Sequence, residues 1–318
     1  MNLWEVTSPG LLTTVQDQGR DGWRHLGVAR AGAMDPHAAD IANRVLGNEA
    51  GAAVLEMTVK GPALRVPRPT RIAITGAHTG ATSNGRPVPN HRPVLIPAGE
   101  LSFAALRGGM RAWLAVHGGF NVPLVMDSRS TDLRGGFGGF EGRALRAGDC
   151  LEAADFSGDS EVALPQSVGW WMSSDDPCLD TSHPIRYVAS PHPASAALSA
   201  STWKVGAQSN RQGLRLQGEP IIDAGHAGVS EPVAVGSIQL PPDGQPIVLL
   251  ADAQTVGGYA RLGHVIAADL PRLAQAGAGT PLVFEQVDAK AARELLRQHD
   301  GRHARACMAI RQRLGEHS

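Results

Sequence analysis

A mainly β protein, built as two related lobes with a few helices, is what this 318-residue sequence predicts. Three observations carry that reading. Apolar runs of four to six residues, as in RIAITGA, RPVLIPAGELSF, AWLAVHGG and QPIVLLAD, are cut repeatedly by the 38 glycines and 22 prolines, the pattern of many short strands. Segments of the first half recur in order in the second. Helical periodicity is clear in only two places.

The earlier helix is predicted over Asp35 to Leu46, with Asp35 as N-cap, Pro36 at the first helical position and Gly47 as terminator. Ile41, Val45 and Leu46 share a face, and Asp40 and Arg44 are expected to form an exposed i,i+4 pair. The later stretch, Asp288 to Leu314, alternates Leu295, Leu296, Met308 and Ile310 with many arginines and reads as a solvated amphipathic cover helix broken near Gly301.

The repeat begins with RxGxRxxG, which occurs at Arg20–Gly27 and again at Arg211–Gly218. Val54-Leu-Glu56 with Gly61, Pro67 and Ile72 then recurs as Val229-Ser-Glu231 with Gly236, Pro242 and Ile247. The offset between copies falls from 191 to 175, a difference close to the length of the capped helix and its flanks. The expected organisation is a first lobe over residues 1–165 with the inserted helix, a second lobe over 166–287 and a helical tail over 288–318, with a turn-rich junction near 155–180.

Composition excludes several functions. A formal net charge of -1 and a sequence pI near 6.9 give no field for nucleic acid or an anionic membrane. No apolar run reaches the length that spans a bilayer, and the amino terminus lacks the basic and apolar regions of a signal peptide, so a cytoplasmic protein is expected. Lys60, Lys204 and Lys290 are the only lysines, and none lies in a phosphate loop or a Met-Lys-Met biotin site. Cys150, Cys178 and Cys307 lack CxxC spacing, and His299 and His303 lack an accompanying acidic motif, so neither a disulfide framework nor a metal site is expected. No GxSxG, HExxH or Cys-His signature is present.

Three constellations carry possible chemistry. Asp127-Ser-Arg129-Ser-Thr-Asp132-Leu-Arg134 and its following glycines offer guanidinium forks, hydroxyls and exposed N–H groups for a carboxylate or phosphate. The alternative is a salt-bridged turn in which Asp127 and Asp132 neutralise the two arginines. Asp252, Gln254, Thr255 and Tyr259 follow the apolar strand Ile247–Leu250 and suit orientation and polarisation of a small amide, or else form a capped turn. Gln16, Asp17 and Arg20 occupy positions in the first half that Ser209, Asn210 and Arg211 occupy in the second, either at a ligand cleft or at matching structural turns. His25 reads as a core histidine.

In order along nearly the whole chain run GLLTTVQDQGRDGWRHLGV, GAMDPHAADIANRVLGN, GPALR, ITGA, GGMRAWLAVHGGF, SRSTDLRGGFGG, SNRQGLRLQG, GSIQLPPDGQPIVLLADAQTVGGY and VIAADLPRL. Together they resemble the carboxyltransferase family that includes the C-subunit of 5-oxoprolinase and the urea carboxylase (urea amidolyase) region long labelled allophanate hydrolase subunit 2. The resemblance implies two cyclophilin-like β-barrel lobes and an active cleft formed with a first-subunit-type partner of the same family. It implies ATP-dependent opening of 5-oxoproline to L-glutamate by a hydrolase complex that includes a third, hydrolase subunit, with ATP and magnesium handled by the complex. Little turnover is expected from the chain alone. Transfer of a carboxyl group from carboxybiotin to urea or a related amide is the alternative, and a regulatory protein antagonising a kinase inhibitor is a third.

Carried onto this sequence, the motifs imply catalytic roles for Arg129, Asp252 and Tyr259. They imply substrate binding by Arg134, Asn210, Arg211, Gln254 and Thr255, with Arg129 and Asp252 expected to line one cleft. Four positions depart from the family pattern: Ala253 replaces an arginine, Ala260 and Arg261 replace proline and lysine, and Gln212 replaces a methionine.

Overall fold

The computed structural model describes residues 2–155, 165–172, 183–222 and 229–315. Most of the expected junction, including nearly all of DFSGDSE and all of SSDDP, lies outside the described residues, as does Cys178. The chain divides into two compact units, Met1–Arg20 with Asp35–Asp176 and His303–Ser318, and Asp21–Met34 with Pro177–Arg302. The described elements are mainly strands, with four α-helices: α1 (Pro36–Arg44), α2 (Ala197–Ala200), α3 (Leu270–Gln275) and α4 (Ala289–Gly315). No helix among the described residues is long and apolar enough to cross a membrane.

The first unit holds two six-stranded antiparallel sheets. One runs in the order Cys150–Glu152, Leu3–Ser8, Ala63–Val66, Gly99–Ser102, Thr82–Ser83, Arg86–Pro87. The other runs Gln166–Ser167, Pro93–Ile96, Thr70–His78, Arg107–Val116, Val54–Thr58, Leu12–Gln16. Period-two alternation builds the apolar core: Trp4 and Val6 are fully buried beside the exposed Leu3, and Leu55, Met57, Leu64, Ile72, Ile74, Leu101 and Leu114 pack with them. Strand Val54–Thr58 is buried throughout, because its other face is covered as well. On that face Thr75, Trp113, Glu56 and Thr14 stand side by side in register, and the Trp113 indole N–H donates to Glu56 at 3.0 Å. Gly76 (φ +84°) serves the irregular register of strand Arg107–Val116, since a Cβ there would lie 2.6 Å from the Arg111 carbonyl oxygen.

Helix α1 packs against strands Thr70–His78 and Arg107–Val116. Asp35 caps it by accepting from the His37 and Ala38 N–H groups at 3.0 Å each, Pro36 occupies the first turn, and Gly47 adopts φ +77° beyond its end. Ala38, Ala39, Ala42 and Val45 are buried while Ile41 is only half-buried, so small side chains rather than Ile41 set the close approach. Thr75 Oγ1 reaches the Ala38 carbonyl at 2.8 Å. The Asp40–Arg44 pair forms at 2.7 Å, but the expectation that it is exposed fails: Asp40 is buried and also meets His303 of α4. Helix α4 runs unbroken through Gly301, whose cost of about 1 kcal/mol is small beside the continuity of a 27-residue helix.

In the second unit seven strands close into a barrel: Ile185–Ala189, Ala260–Val265, Ser237–Leu240, Ile247–Leu249, Gly213–Gln217, Thr202–Val205 and Pro281–Gln286, the last pairing parallel with the first. Trp203, Tyr187 and Phe284 fill it, and their polar ends are satisfied: the Tyr187 hydroxyl donates to the Ser195 carbonyl at 2.9 Å, and the Trp203 indole to Leu198 at 3.0 Å. Among the described residues, closure into one hydrogen-bonded ring is seen in this unit and not in the two sheets of the first. The repeated segments also differ locally. Arg20–Gly27 contains a short 3-10 turn, whereas Arg211–Gly218 contains a strand. The strand, proline, strand order of Ala63–His78 does recur in Ser237–Leu249.

Replacing the cap, Asp35→Ala, is expected to lower stability by about 1–2 kcal/mol, read as a fall in the urea midpoint at unchanged slope.

Candidate functional site

The arginine loop of the first unit is built on Asp17, the residue after strand Leu12–Gln16, which is only 6% exposed. Its carboxylate accepts from Ser128 Oγ at 2.6 Å, from the Gly19 N–H at 2.8 Å, from the Arg129 N–H at 2.5 Å and from Ser130 Oγ. The Asp17 N–H donates back to Ser130 Oγ at 2.9 Å. Thr131 closes the connection through its N–H and hydroxyl, both 3.0 Å from the Val15 carbonyl. The Arg20 guanidinium donates to the Ser130 carbonyl and lies 4.9 Å from the centre of the Phe137 ring. Gln16, Asp17 and Arg20 thus anchor the loop rather than face solvent.

The chain enters this loop through a tight turn in which Val125 and Ser128 pair across Met126 (φ 53°) and Asp127 (φ 60°). Two non-glycine residues in the left-handed region cost on the order of 1–3 kcal/mol each, and such strain persists where surrounding bonds over-determine it. Asp17 and the two serines supply those bonds. The loop returns through Gly138 (φ 71°), where a Cβ would stand 2.3 Å from the Ser130 carbonyl oxygen, so only glycine passes.

Asp132 accepts from the Arg134 and Gly135 N–H groups at 3.1 and 2.8 Å, capping the turn with its carboxylate. The salt-bridged alternative is therefore not what forms. Among the described residues neither Arg129 nor Arg134 makes an ion pair; Arg134 is exposed and Arg129 is half-buried. Arg129 lines a cleft of about 920 Å³ together with Asp127, Asp17, Asn48, His117 and Gly118. Asn48 shapes it by donating to the Val116 carbonyl at 2.7 Å and accepting from the Gly118 N–H at 2.8 Å. Sequence patterns do not single out His117, although it directly follows the buried second half of strand Arg107–Val116, ahead of two glycines. Burial, with the nearby Arg71 charge, holds its pKa below the usual histidine value.

The other predicted residues belong to the second unit. Arg211 and Asp252 are buried and form a two-pronged pair, Nε to Oδ2 and Nη2 to Oδ1, each 2.9 Å, while Nη2 also reaches the Gly32 carbonyl at 2.6 Å. Their charges are therefore committed to each other. Asn210 is an exposed turn residue whose Oδ1 accepts from the Gln212 N–H at 2.8 Å. Gln254 lies 3.4 Å from the buried Gln239, and the Thr255 carbonyl accepts from the Val233 N–H at 3.0 Å. Tyr259 is 47% exposed. Ala253 is fully buried against Val233 and Leu249, so the residue that departs from the family arginine faces an apolar cluster. Arg261 pairs with Glu231 at 3.3 Å. His25 is exposed, its Nδ1 2.9 Å from the Gly22 carbonyl oxygen, and is not a core residue: the turn ending at Gly27 projects it outward.

The family model described as carboxyltransferase domain, subdomain A and B, matches residues 26–286. The chain belongs to this carboxyltransferase family. Within it, the 5-oxoprolinase C-subunit of Escherichia coli (strain K12) is 37% identical over 290 residues, covering 89% of this chain and 90% of the relative. The 5-oxoprolinase C-subunit of Haemophilus influenzae is 35% identical over 292 residues, covering 90% and 92%. The crystal structure of the K. lactis urea amidolyase superposes with a TM-score of 0.84 at 30% identity over 96% of this chain, which spans only 20% of that protein.

Two outcomes follow from this geometry. Asp17→Asn removes the charge that gathers the loop and should cost about 2–3 kcal/mol, with faster proteolytic cleavage within residues 125–139. His117 and His264 both have pKa values held below 6.5, mainly by burial, so the unfolded chain binds more protons as pH falls. Their contribution to stability is complete above about pH 6.5 and is lost as pH drops below it; the loss between about pH 7.5 and about pH 5.5 should shrink in a His117→Gln/His264→Gln variant, measured by urea unfolding.

Proposed function

We propose that this carboxyltransferase-family chain is the C-subunit of an ATP-dependent 5-oxoprolinase, a cytoplasmic hydrolase that converts 5-oxoproline, ATP and water to L-glutamate. The observation that carries the reading is coverage. The match to the E. coli protein extends over nine-tenths of both chains. A lactam carbonyl is a poor electrophile, and its opening requires negative charge to accumulate on the carbonyl oxygen. Arg129, which lines a cleft and makes no ion pair among the described residues, and the exposed Arg134 suit stabilisation of that charge. Tyr259 suits the handling of a proton, and Asn210, Gln254 and Thr255 the orientation of the amide. Asp252 acts through Arg211, which it holds in place, and is read as a positioning residue together with it. ATP and magnesium belong to the assembled complex with a first-subunit-type partner and a hydrolase subunit. The cyclophilin-like character of both units, and their origin by duplication, go with the same proposal, supported by the strand, proline, strand order common to Ala63–His78 and Ser237–Leu249.

A second reading is supported by the superposition on urea amidolyase over 96% of this chain: carboxyl transfer from carboxybiotin to urea or a related amide. Reconstitution separates the two. With its partner subunits, ATP and magnesium, the chain should yield glutamate from 5-oxoproline, with none above background from the chain alone. Arg129→Ala should lower kcat about 100-fold in that assay. Labelled carboxyl appearing on urea, with no glutamate formed, would reverse the order of the two readings.

A further inference from the structure

Helices α1 and α4 bring together a set of side chains that the proposed reaction does not use. Asp40 of α1 and His303 and Cys307 of α4 present their ligand atoms to one another within 4.8 Å. His303 and Cys307 are four residues apart and so share a helix face. The separations are 2.8 Å for His303 Nε2 to Asp40 Oδ2, 3.5 Å for Cys307 Sγ to His303 Nε2 and 3.7 Å for Cys307 Sγ to Asp40 Oδ2. A tetrahedral ion with ordinary zinc bond lengths sets its sulfur about 3.5 Å from a nitrogen or oxygen ligand, and nitrogen from oxygen about 3.3 Å. Both sulfur edges already have that length, and the third is contracted by a hydrogen bond.

A second observation concerns the carboxylate itself. Asp40 is 5% exposed, and both Arg44 Nε and His303 Nε2 lie against Oδ2, while Oδ1 is buried with no hydrogen-bond partner among the described residues. A buried carboxylate oxygen left so carries a desolvation cost that a metal ligand bond would offset. Rotation about the terminal carboxylate torsion is soft, so one oxygen can serve Arg44 and the other an ion. The His37 ring stacks on His303 with centroids 4.1 Å apart and planes 7° apart, holding the imidazole in the plane that aims Nε2 at the cluster. His303 and Cys307 are partly exposed, which gives an ion a route in.

We propose that Asp40, His303 and Cys307 form a zinc site in the first unit, with water in the fourth position. One sulfur, one imidazole nitrogen and one carboxylate favour a borderline-soft ion over magnesium or calcium. On binding, the thiol proton leaves to solvent and His303 takes the tautomer that carries its proton on Nδ1, which frees the Nε2 lone pair; thiolate and carboxylate then set two negative charges against the divalent ion, with Arg44 still paired to the carboxylate. The site joins α4 to α1 and is independent of the 5-oxoprolinase reading.

The test uses the full chain carrying Cys150→Ser and Cys178→Ser, so that Cys307 is the remaining thiol. Cobalt(II) titration should give a thiolate-to-cobalt absorption band in the near ultraviolet that saturates at one equivalent and is abolished by zinc. Competition with a chromophoric chelator should give a zinc Kd of about 1 μM or tighter. His303→Ala and Asp40→Asn should each weaken zinc binding about 100-fold. Absence of the band, or a band and an affinity unchanged by His303→Ala, overturns the site. Should Asp40→Asn fail to fold, the cobalt spectrum and the His303→Ala variant still decide it.

Discussion

Saturation of one buried carboxylate, Asp17, is the interaction on which the arginine loop depends. A carboxylate taken out of water must be surrounded by donors, and Ser128, Arg129 and Ser130 supply a backbone N–H and two hydroxyls from three consecutive residues. That demand fixes the backbone of residues 128–130. It also explains how the left-handed Met126 and Asp127 are held, and why glycine is needed where the chain returns beneath Ser130. Arg129 owes its position at the cleft to its own N–H, which is tied to Asp17, while its guanidinium makes no ion pair among the described residues.

In the second unit the same physics has a different result. Asp252 is also a buried carboxylate, but its donors come from the Arg211 guanidinium, so cation and anion are both consumed. The carboxylate lone pairs are committed to the guanidinium, whereas Tyr259 of the same unit is exposed. The pair instead ties the turn before strand Gly213–Gln217 to the segment after Ile247–Leu249 and, through the Gly32 carbonyl, to Asp21–Met34. Mutual saturation separates residues that shape a site from residues that can act in it.

Helix α1 shows how small side chains and buried polar groups work together. Its alanine face lets the helix approach the sheet closely, and Asp40, in the middle of the helix, is covered by α4. Coverage removes water from the carboxylate, while hydrogen bonds from His303 and Arg44 hold its pKa below the usual value against the opposing effect of burial. The charge of an apparently ordinary surface pair is thereby placed beside the imidazole of His303 and the thiol of Cys307, from a distant part of the sequence.

Much of the architecture was legible in local chemistry. Short apolar runs broken by Gly and Pro mark strands because alternation and turn residues act over a few positions, and Asp35-Pro36 marks a helix start because capping is local. The ordered motifs identify the carboxyltransferase family, since each motif survives in sequence whatever its partners. Commitment of side chains was not legible. SRSTD reads equally as an anion cradle or a salt-bridged turn, and the choice fell to Asp17, 111 residues from Ser128. Asp252 looked available until Arg211, 41 residues away, closed on it, and Asp40 looked exposed until α4 crossed it. Hydrogen bonding and desolvation depend on distance in space, and the sequence by itself determined which groups the chain carries, while only the tertiary structure decided which of them remain free to react.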